Sequence, residues 1–421
     1  MKKIAAAFVA ILVAAAAGAG YYVYKHREAG DVRGSSTEFN TTESIPIPPP
    51  PAPKQQIIWP QFGYDSERSH VGPSVDIRPP FRRVWTAGGA SLLEFPPAIA
   101  YGRLFVADGG GRVLAVSTKT GARAWAYNEH RCQAASPAVG DYKHGTVYEV
   151  FLNKIPCAEK NPADGEIVAL EVGNGRLRWR THIGASETSP VLVGNRLYVG
   201  DWRGNVYAID ARTGQIEWTA HTNGAVKGGV AVSGNRLYVG SYDGHVYAFN
   251  ARNGRRLWRA SGDQRLFGTG RFYSTPSAAY GRVYIGSTDG KVYSFGATSG
   301  KRRWSHSTGG YVYGSPAIWN QLVLVGSYSH TFYAFDAATG DIKWSFKANG
   351  PISGSGTVIN GVVYFATLSK SAKRGRTYAL NARNGKLLWT FNDGKYTPVV
   401  ADKQHLYVVG YAKLYGFAPK R

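Results

Sequence analysis

Cysteine occurs twice and methionine once in 421 residues, and 27 acidic side chains face 50 lysines and arginines. Two cysteines are too few to staple a small disulfide-built fold, and they fall short of the about four nitrogen or sulfur ligands of a structural zinc site. The ten histidines are scattered without metal-ligand spacing. No phosphate loop and no nucleophile triad is present, so the sequence nominates no catalytic residue, no metal ligand and no cofactor site. The shortage of acids leaves a formal net charge of +23. A field of that size favours anionic partners such as lipid headgroups, acidic polymers or nucleic acid, and says little about fold.

What is abundant points to β structure. There are 27 Tyr, 17 Phe and 11 Trp, together with 52 Gly. Aromatic residues suit pleated, packed surfaces, and glycine suits many tight turns.

Three segments follow one another along the chain: 1–27, 28–59 and 60–421. In the first, Ile4 to Tyr24 runs 21 residues without a charge, enough to span a bilayer core of about 30 Å as a helix. Two readings stay open. The run is an uncleaved signal-anchor with a cytoplasmic N-terminus, or a signal peptide cut in the small-residue stretch Ala14–Gly20. Either exports the remainder of the chain. No cysteine stands near the segment, which excludes a lipid-modified N-terminus. Residues 28–59 read as a flexible spacer, because Gly34–Thr37 is polar and Pro48–Pro51 favours extended polyproline II.

Beyond the spacer the chain repeats itself. LYVGDWRGNVYAIDARTGQIEW (Leu197–Trp218) returns as LYVGSYDGHVYAFNARNGRRLW (Leu237–Trp258) and VYIGSTDGKVYSFGATSGKRRW (Val283–Trp304). Tryptophans recur at Trp85, Trp125, Trp179, Trp218, Trp258, Trp304, Trp344 and Trp389, and from Trp125 onward each has a glycine four residues earlier. Each unit resolves into four short strands, A to D. Asp-Gly or similar turns join B to C, and Thr-Gly, Asn-Gly or Ser-Gly turns join C to D. A period of about 40 residues with four strands per unit marks a propeller blade. Seven units are complete. The eighth, from Thr397 to Phe417, lacks a D strand, and Phe81–Trp85 looks like a D strand lacking its blade. The expected fold is therefore an all-β, eight-bladed propeller whose ring is closed by an N-terminal strand. A closed ring has no open edge, and a monomer is expected.

The pattern of Leu/Val-Tyr, Gly, Asp-Gly, Val-Tyr and Thr-Gly-x-x-x-Trp resembles the pyrroloquinoline-quinone-type propeller repeat over about residues 81–421. That family's tryptophans pack between blades, a structural role the resemblance assigns to the eight tryptophans above. Some of its members are quinoprotein dehydrogenases that hold the quinone and a metal, usually calcium, in the central funnel. Others are cofactor-free propellers, including the lipoprotein of the machinery that assembles outer-membrane β-barrels. This chain is closer to the second class, since it has no adjacent Cys-Cys pair and no long insertions that would build a cofactor pocket.

The position three residues before each strand-A Pro, or its equivalent, should ring the funnel mouth. It reads Glu94, Ala134, Glu187, Lys227, Tyr273, Tyr313, Ser353 and Lys395. Two glutamates across from two lysines fall short of the six or more oxygens that a hard cation wants. Tyr273, Tyr311 and Tyr313 instead suggest a polar, aromatic-lined groove for a peptide or sugar, to be weighed against a merely solvated rim. The expected function is a non-catalytic platform, anchored outside the cytoplasm, for protein or anionic envelope-polymer partners. A quinone-dependent dehydrogenase is the alternative, and export makes nucleic acid an unsuitable partner. Cys132 precedes strand A of blade 2 and Cys157 lies in that blade's B–C insertion. Both loops emerge on one face, so a disulfide between them is expected, with export supplying the oxidising surroundings.

Overall fold

The computed structural model describes residues 30–42, 48, 56–88, 91–155, 161–265, 268–368, 375–396 and 399–420. The chain divides into two compact units, Met1–Val32 and Arg33–Arg421, and the architecture that follows belongs to the second. The hydrophobic run Ile4–Tyr24 lies outside the described residues. Among those described, no helix is long and apolar enough to cross a membrane.

Eight antiparallel sheets stand around a common axis, each a blade of four strands, with a fifth strand added to blade 1. Blade 3 shows the plan, with strand A at Val191–Val193, B at Arg196–Gly200, C at Asn205–Asp210 and D at Ile216–His221. A and B are joined by a tight turn, and B and C by the Asp201–Gly204 turn. Strand C is the buried heart of the blade, and Val206, Ala208 and Ile209 are fully covered. Such two-sided burial is possible only because a neighbouring blade covers each face. The last sheet orders Phe81–Gly88, Lys413–Pro419, Leu406–Val409 and Val400–Ala401. Its register pairs Phe81 with Pro419 and Gly88 with Lys413, so the N-terminal strand is the missing D strand and the ring closes at eight.

Each blade is locked to the next by one repeated contact. The indole Nε1–H of Trp179 donates to the Ala211 carbonyl of the next blade at 3.1 Å. Trp85, Trp125, Trp218, Trp258, Trp304 and Trp344 do the same to Thr118, Val172, Ala251, Ala297, Ala337 and Ala382. The glycine three residues past each of these acceptors forms the seat of the ring. A Cβ on Gly214 would stand 2.7 Å from Trp179 Cε3, and Gly254, Gly300 and Gly340 sit in the same way against Trp218, Trp258 and Trp304. The glycine before a tryptophan in sequence therefore serves the tryptophan of the preceding blade. Trp389 faces the closing blade differently, packing edge-on against Phe81 and Phe417.

Two parts of the expected spacer belong to the fold, which corrects its reading as free chain up to residue 59. Gly34–Asn40 is seated on the face that carries the C–D turns. There the buried Arg282 donates to the carbonyls of Ser35 (2.8 Å), Thr37 (2.6 Å) and Glu38 (3.1 Å). Glu38 binds Arg303 and Ser299, and Gly34 N–H reaches the Thr339 carbonyl of blade 6. Further on, Ile57–Trp59 adds a strand to the inner edge of blade 1.

From there the chain makes a lap of the central channel. Oxygens of Pro60, Gln61, Ser66, Glu67, Ser69 and His70 accept in turn from the N–H groups of Val139, Leu192, Val232, Ala278, Ile318 and Val358. These six are the middle residues of strand A in blades 2 to 7. The inner-edge donors that a propeller leaves facing its channel are thus met by the chain itself, as buried donors must be. Arg68 is wholly buried in this lap and donates to the carbonyls of Phe62, Ser189 (2.7 Å) and Val230 (2.9 Å). Burial pulls its guanidinium down to about 9 and pushes the Asp65 carboxyl up to about 6.

The indole seat can be separated from ordinary turn strain. Gly194 (φ +59°) and Gly214 (φ +78°) both need the left-handed region, but only Gly214 has an indole against its missing Cβ. Gly194→Ala should cost about 1–2 kcal/mol in urea unfolding, and Gly214→Ala a further 1–3 kcal/mol or so from displacing Trp179. Equal losses would remove the indole seat from the account.

Candidate functional site

The D–A crossovers and B–C turns share the face opposite the C–D turns, and a repeated pair of backbone bonds fixes them. In the crossover entering blade 4, the Ala225 carbonyl accepts from Tyr242 N–H of that blade's own B–C turn. The next residue, Val226, donates to the Asp201 carbonyl of the blade before. The crossovers into blades 5, 6 and 7 repeat this at Arg271–Phe272, Tyr311–Val312 and Pro351–Ile352. The second residue of each pair is buried completely. The residue after it (Lys227, Tyr273, Tyr313 or Ser353) is then held at the channel.

These residues surround a cavity of about 380 Å³ lined by Glu94, Glu187, Lys227, Tyr273, Tyr313 and Ser353, among others. Six of the eight positions assigned to the funnel mouth are thus on its wall. Lys395 is held just behind it, its ammonium 4.5 Å from the Tyr396 ring and 4.6 Å from that of Tyr411. Ala134 packs instead with Cys132, Leu152 and Ala185. Tyr311 stands at the lip, 51% exposed. Phe62, from the lap around the channel, also lines the cavity.

The wall has a polar side and an aromatic side. Glu187 is the centre of the first, accepting from Trp202 Nε1 at 2.8 Å and Tyr273 Oη at 3.2 Å, with Lys227 Nζ at 3.5 Å. Burial raises the Glu187 carboxyl above its ordinary range, against the pull of Lys227. Burial, followed by the charge of Glu187, holds Tyr273 firmly protonated as a donor. Lys227 lies 4.2 Å from the Trp202 ring and 5.4 Å from Tyr242. The aromatic side is a run of touching rings. Tyr273 meets Tyr313 at 5.2 Å, and Tyr313 meets Tyr328 at 5.0 Å and Tyr311 at 5.7 Å.

Sequence reasoning missed Trp202, Tyr242 and Tyr328, although one position held them. Each is the second residue of a B–C turn (Asp-Trp-Arg-Gly, Ser-Tyr-Asp-Gly, Ser-Tyr-Ser-His). That residue's N–H makes the crossover bond; Tyr242 and Tyr328 line the cavity, and Trp202 supports it through Glu187 and Lys227. Phe62 had no such signal, because its segment is outside the repeat.

A hard cation is not suited to these side chains. Among the described residues no three His, Cys, Asp or Glu side chains stand together as ligands. The aspartates of the B–C turns are spent on their own blades. Asp201 accepts from Asn205 and Tyr207, and Asp289 from Tyr293. The quinone of the dehydrogenase class comes with such a metal, and the described residues of this wall do not supply its donor set. What the wall offers is rings, hydroxyl donors and a partly buried ion pair, which suits binding of a ligand with both apolar and polar groups.

The Cys132 side of the expected disulfide is buried and is not a free thiol. Cys157 lies outside the described residues. The crossover and the insertion run side by side up to that point. Cys132 N–H donates to the Asn153 carbonyl at 3.0 Å, Leu152 N–H to Cys132 at 2.8 Å, and Arg131 bridges Lys154.

Comparisons with known proteins agree with this architecture. Over 147 residues the chain is 26% identical to outer membrane protein assembly factor BamB of Shewanella oneidensis, covering 32% of this chain and 34% of that one. Over 154 residues it is 29% identical to the serine/threonine-protein kinase AfsK of Streptomyces griseus, covering 33% and 18%. These matches span about a third or less of the relatives' own lengths. Among solved structures, BamB from Moraxella catarrhalis superposes with a TM-score of 0.62 at 18% identity, over 80% of this chain and all of that one. A europium-containing methanol dehydrogenase gives 0.71 at 12% identity, over 86% and 98%. The quinohemoprotein alcohol dehydrogenase of Comamonas testosteroni gives 0.67 at 14%, over 86% and 81%. At such identities these likenesses speak for the fold alone. The family model described as outer membrane protein assembly factor BamB matches residues 82–189, 163–310 and 308–415. Nearly the whole ring is covered, and the chain belongs to that family.

Proposed function

We propose that the protein is a non-catalytic binding platform outside the cytoplasm, which takes an extended segment of a partner protein in its funnel. The observation that carries this reading is the funnel wall: a tyrosine run beside a partly buried Glu187–Lys227 pair, floored by Phe62, without a metal-binding donor set among its described residues. Membership of a family described by an assembly factor supports a protein partner over an envelope polymer. Crosslinking in intact cells followed by pull-down tests it. Tyr273→Ala/Tyr313→Ala should lose most of the captured partner, and Glu187→Gln should weaken capture without loss of stability, since a buried carboxylate is costly to ionise. Unchanged capture by both variants would overturn the funnel as the site. Tight binding of the quinone with calcium in a spectral titration would turn the reading to a dehydrogenase.

Ile4–Tyr24 is read as a retained anchor with its N-terminus in the cytoplasm. The protein should then sediment with membranes and stay there in high salt. A soluble species beginning near Gly18 or Gly20 would mean cleavage.

Cys132 and Cys157 are read as a disulfide that pins the blade 2 insertion beside the funnel. Closing a loop of about 25 residues stabilises the fold by roughly 3 kcal/mol on the chain-entropy model. Denatured, unreduced protein should show no reactive thiol, and two per chain would rule the bond out.

A further inference from the structure

The face opposite the funnel combines two features that the proposed binding site leaves unused. The first is charge. The C–D turns of blades 1, 3, 4, 5 and 7 each present an exposed cation: Lys119, Arg212, Arg252, Lys301 and Arg383. Acids on this face are fewer and mostly engaged, Glu38 with Arg303 and Glu217 with Arg196, while Asp141 is exposed. Asp210 accepts from the N–H groups of Arg212 and Thr213 in its own turn, and Asp336 does the same in blade 6. Asp341 is exposed in the blade 6 turn, where Thr339 donates to it at 2.7 Å.

The second feature is apolar. Two residues before the D-strand tryptophan, where the strand leaves the C–D turn, stand Leu177, Ile216, Ile342 and Leu387. Their exposures lie between 42% and 45%. In blades 1, 4, 5 and 8 the same position is Arg123, Arg256, Arg302 and Arg83. Nothing in the blade requires an aliphatic side chain there, since arginine serves equally well in four blades. A rim of mixed aliphatic and basic side chains has the composition of surfaces that lie in the headgroup region of a bilayer. An acidic polymer would answer the cations and leave the four aliphatic side chains in water.

A third observation gives direction. Gly34–Asn40 is fastened on this same face, beneath blades 5 and 6, by Arg282 and Arg303. The first described residues of the propeller unit therefore lie on the C–D side.

We infer that the C–D face lies against an anionic lipid bilayer and that the funnel opens away from it. This deepens the anchored reading above, but the contact belongs to the propeller itself. The test uses the full chain bound to vesicles of phosphatidylcholine alone or mixed with phosphatidylglycerol. A water-soluble amine-acylating reagent, read by mass spectrometry, reports each lysine. On anionic vesicles at low salt, Lys119, Lys301 and Lys386 should be labelled at least about threefold less than on neutral ones, while Lys154 on the funnel face is unchanged. In about 1 M salt, where the Debye length is about 3 Å, the difference should vanish.

Two variants should lose most of the protection while keeping the circular dichroism of the parent. One is Leu177→Ser/Ile216→Ser/Ile342→Ser/Leu387→Ser, and the other is Arg212→Gln/Arg252→Gln/Arg383→Gln, which leaves the three reporting lysines in place. Equal labelling on both vesicles, or protection of Lys154 in place of the three, would overturn the inference. So would equal protection by a soluble anionic polymer that the serine variant does not weaken. Retention on neutral vesicles in high salt reports the anchor alone. A chain that fails that test but shows the protection pattern would lose the anchor and keep the face.

Discussion

An indole hydrogen bond across a blade boundary sets the geometry of this molecule. Seven of the eight D-strand tryptophans reach into the next blade for one carbonyl, and a glycine there leaves room for each ring, while Trp389 packs edge-on against Phe81 and Phe417 of the closing blade. Both requirements fall in the same C–D turn, so the turn cannot vary independently of the tryptophan that rests on it. The spacing between blades is thereby fixed at the outer edge. Strand C, with no polar face, has somewhere to hide only because that spacing repeats all the way around.

The inner edge has its own constraint. Strand A is short, and its central N–H would otherwise point into the channel. The chain meets these donors with its own oxygens in a single lap from Pro60 to His70. That lap turns a channel into a cup, because Phe62 lies at the bottom of the funnel. The buried Arg68 gathers carbonyls from the lap and from blades 3 and 4. It acts as a donor hub with no carboxylate directly on it among the described residues.

The ring was legible in the sequence because its causes are periodic. The Gly-x-x-x-Trp offset, the Asp-Gly turns and the stray Phe81–Trp85 strand are repeated or conspicuously unpaired, and counting them gives eight blades. The funnel positions were legible for the same reason, each standing at a fixed distance from a strand-A proline or its equivalent. Trp202, Tyr242 and Tyr328 were equally periodic but were passed over, since a turn residue was read for its backbone alone. The lap around the channel was beyond such reasoning. Gln61, Arg68 and His70 occur once each in their roles, and their partners lie in blades 3, 4 and 7, far apart in the sequence. Gly34–Asn40 looked like spacer because its contacts are mainly backbone carbonyls given to Arg282, and carbonyls leave no trace in a sequence.

The lap also bears on how the ring comes together. Arg68 finds the Val230 carbonyl 162 residues further on, and Tyr407 of the last blade reaches Thr118 across 289. Contacts of such separation carry a large loop-closure cost and slow folding. The earliest propeller residues to leave a ribosome are those whose bonds are spread over the most blades. They remain unsatisfied while the blades form in sequence behind them. Phe81–Gly88 waits longest, for the final strand of the chain. The molecule is thus sewn shut from its beginning, with a thread laid down before there was anything to stitch.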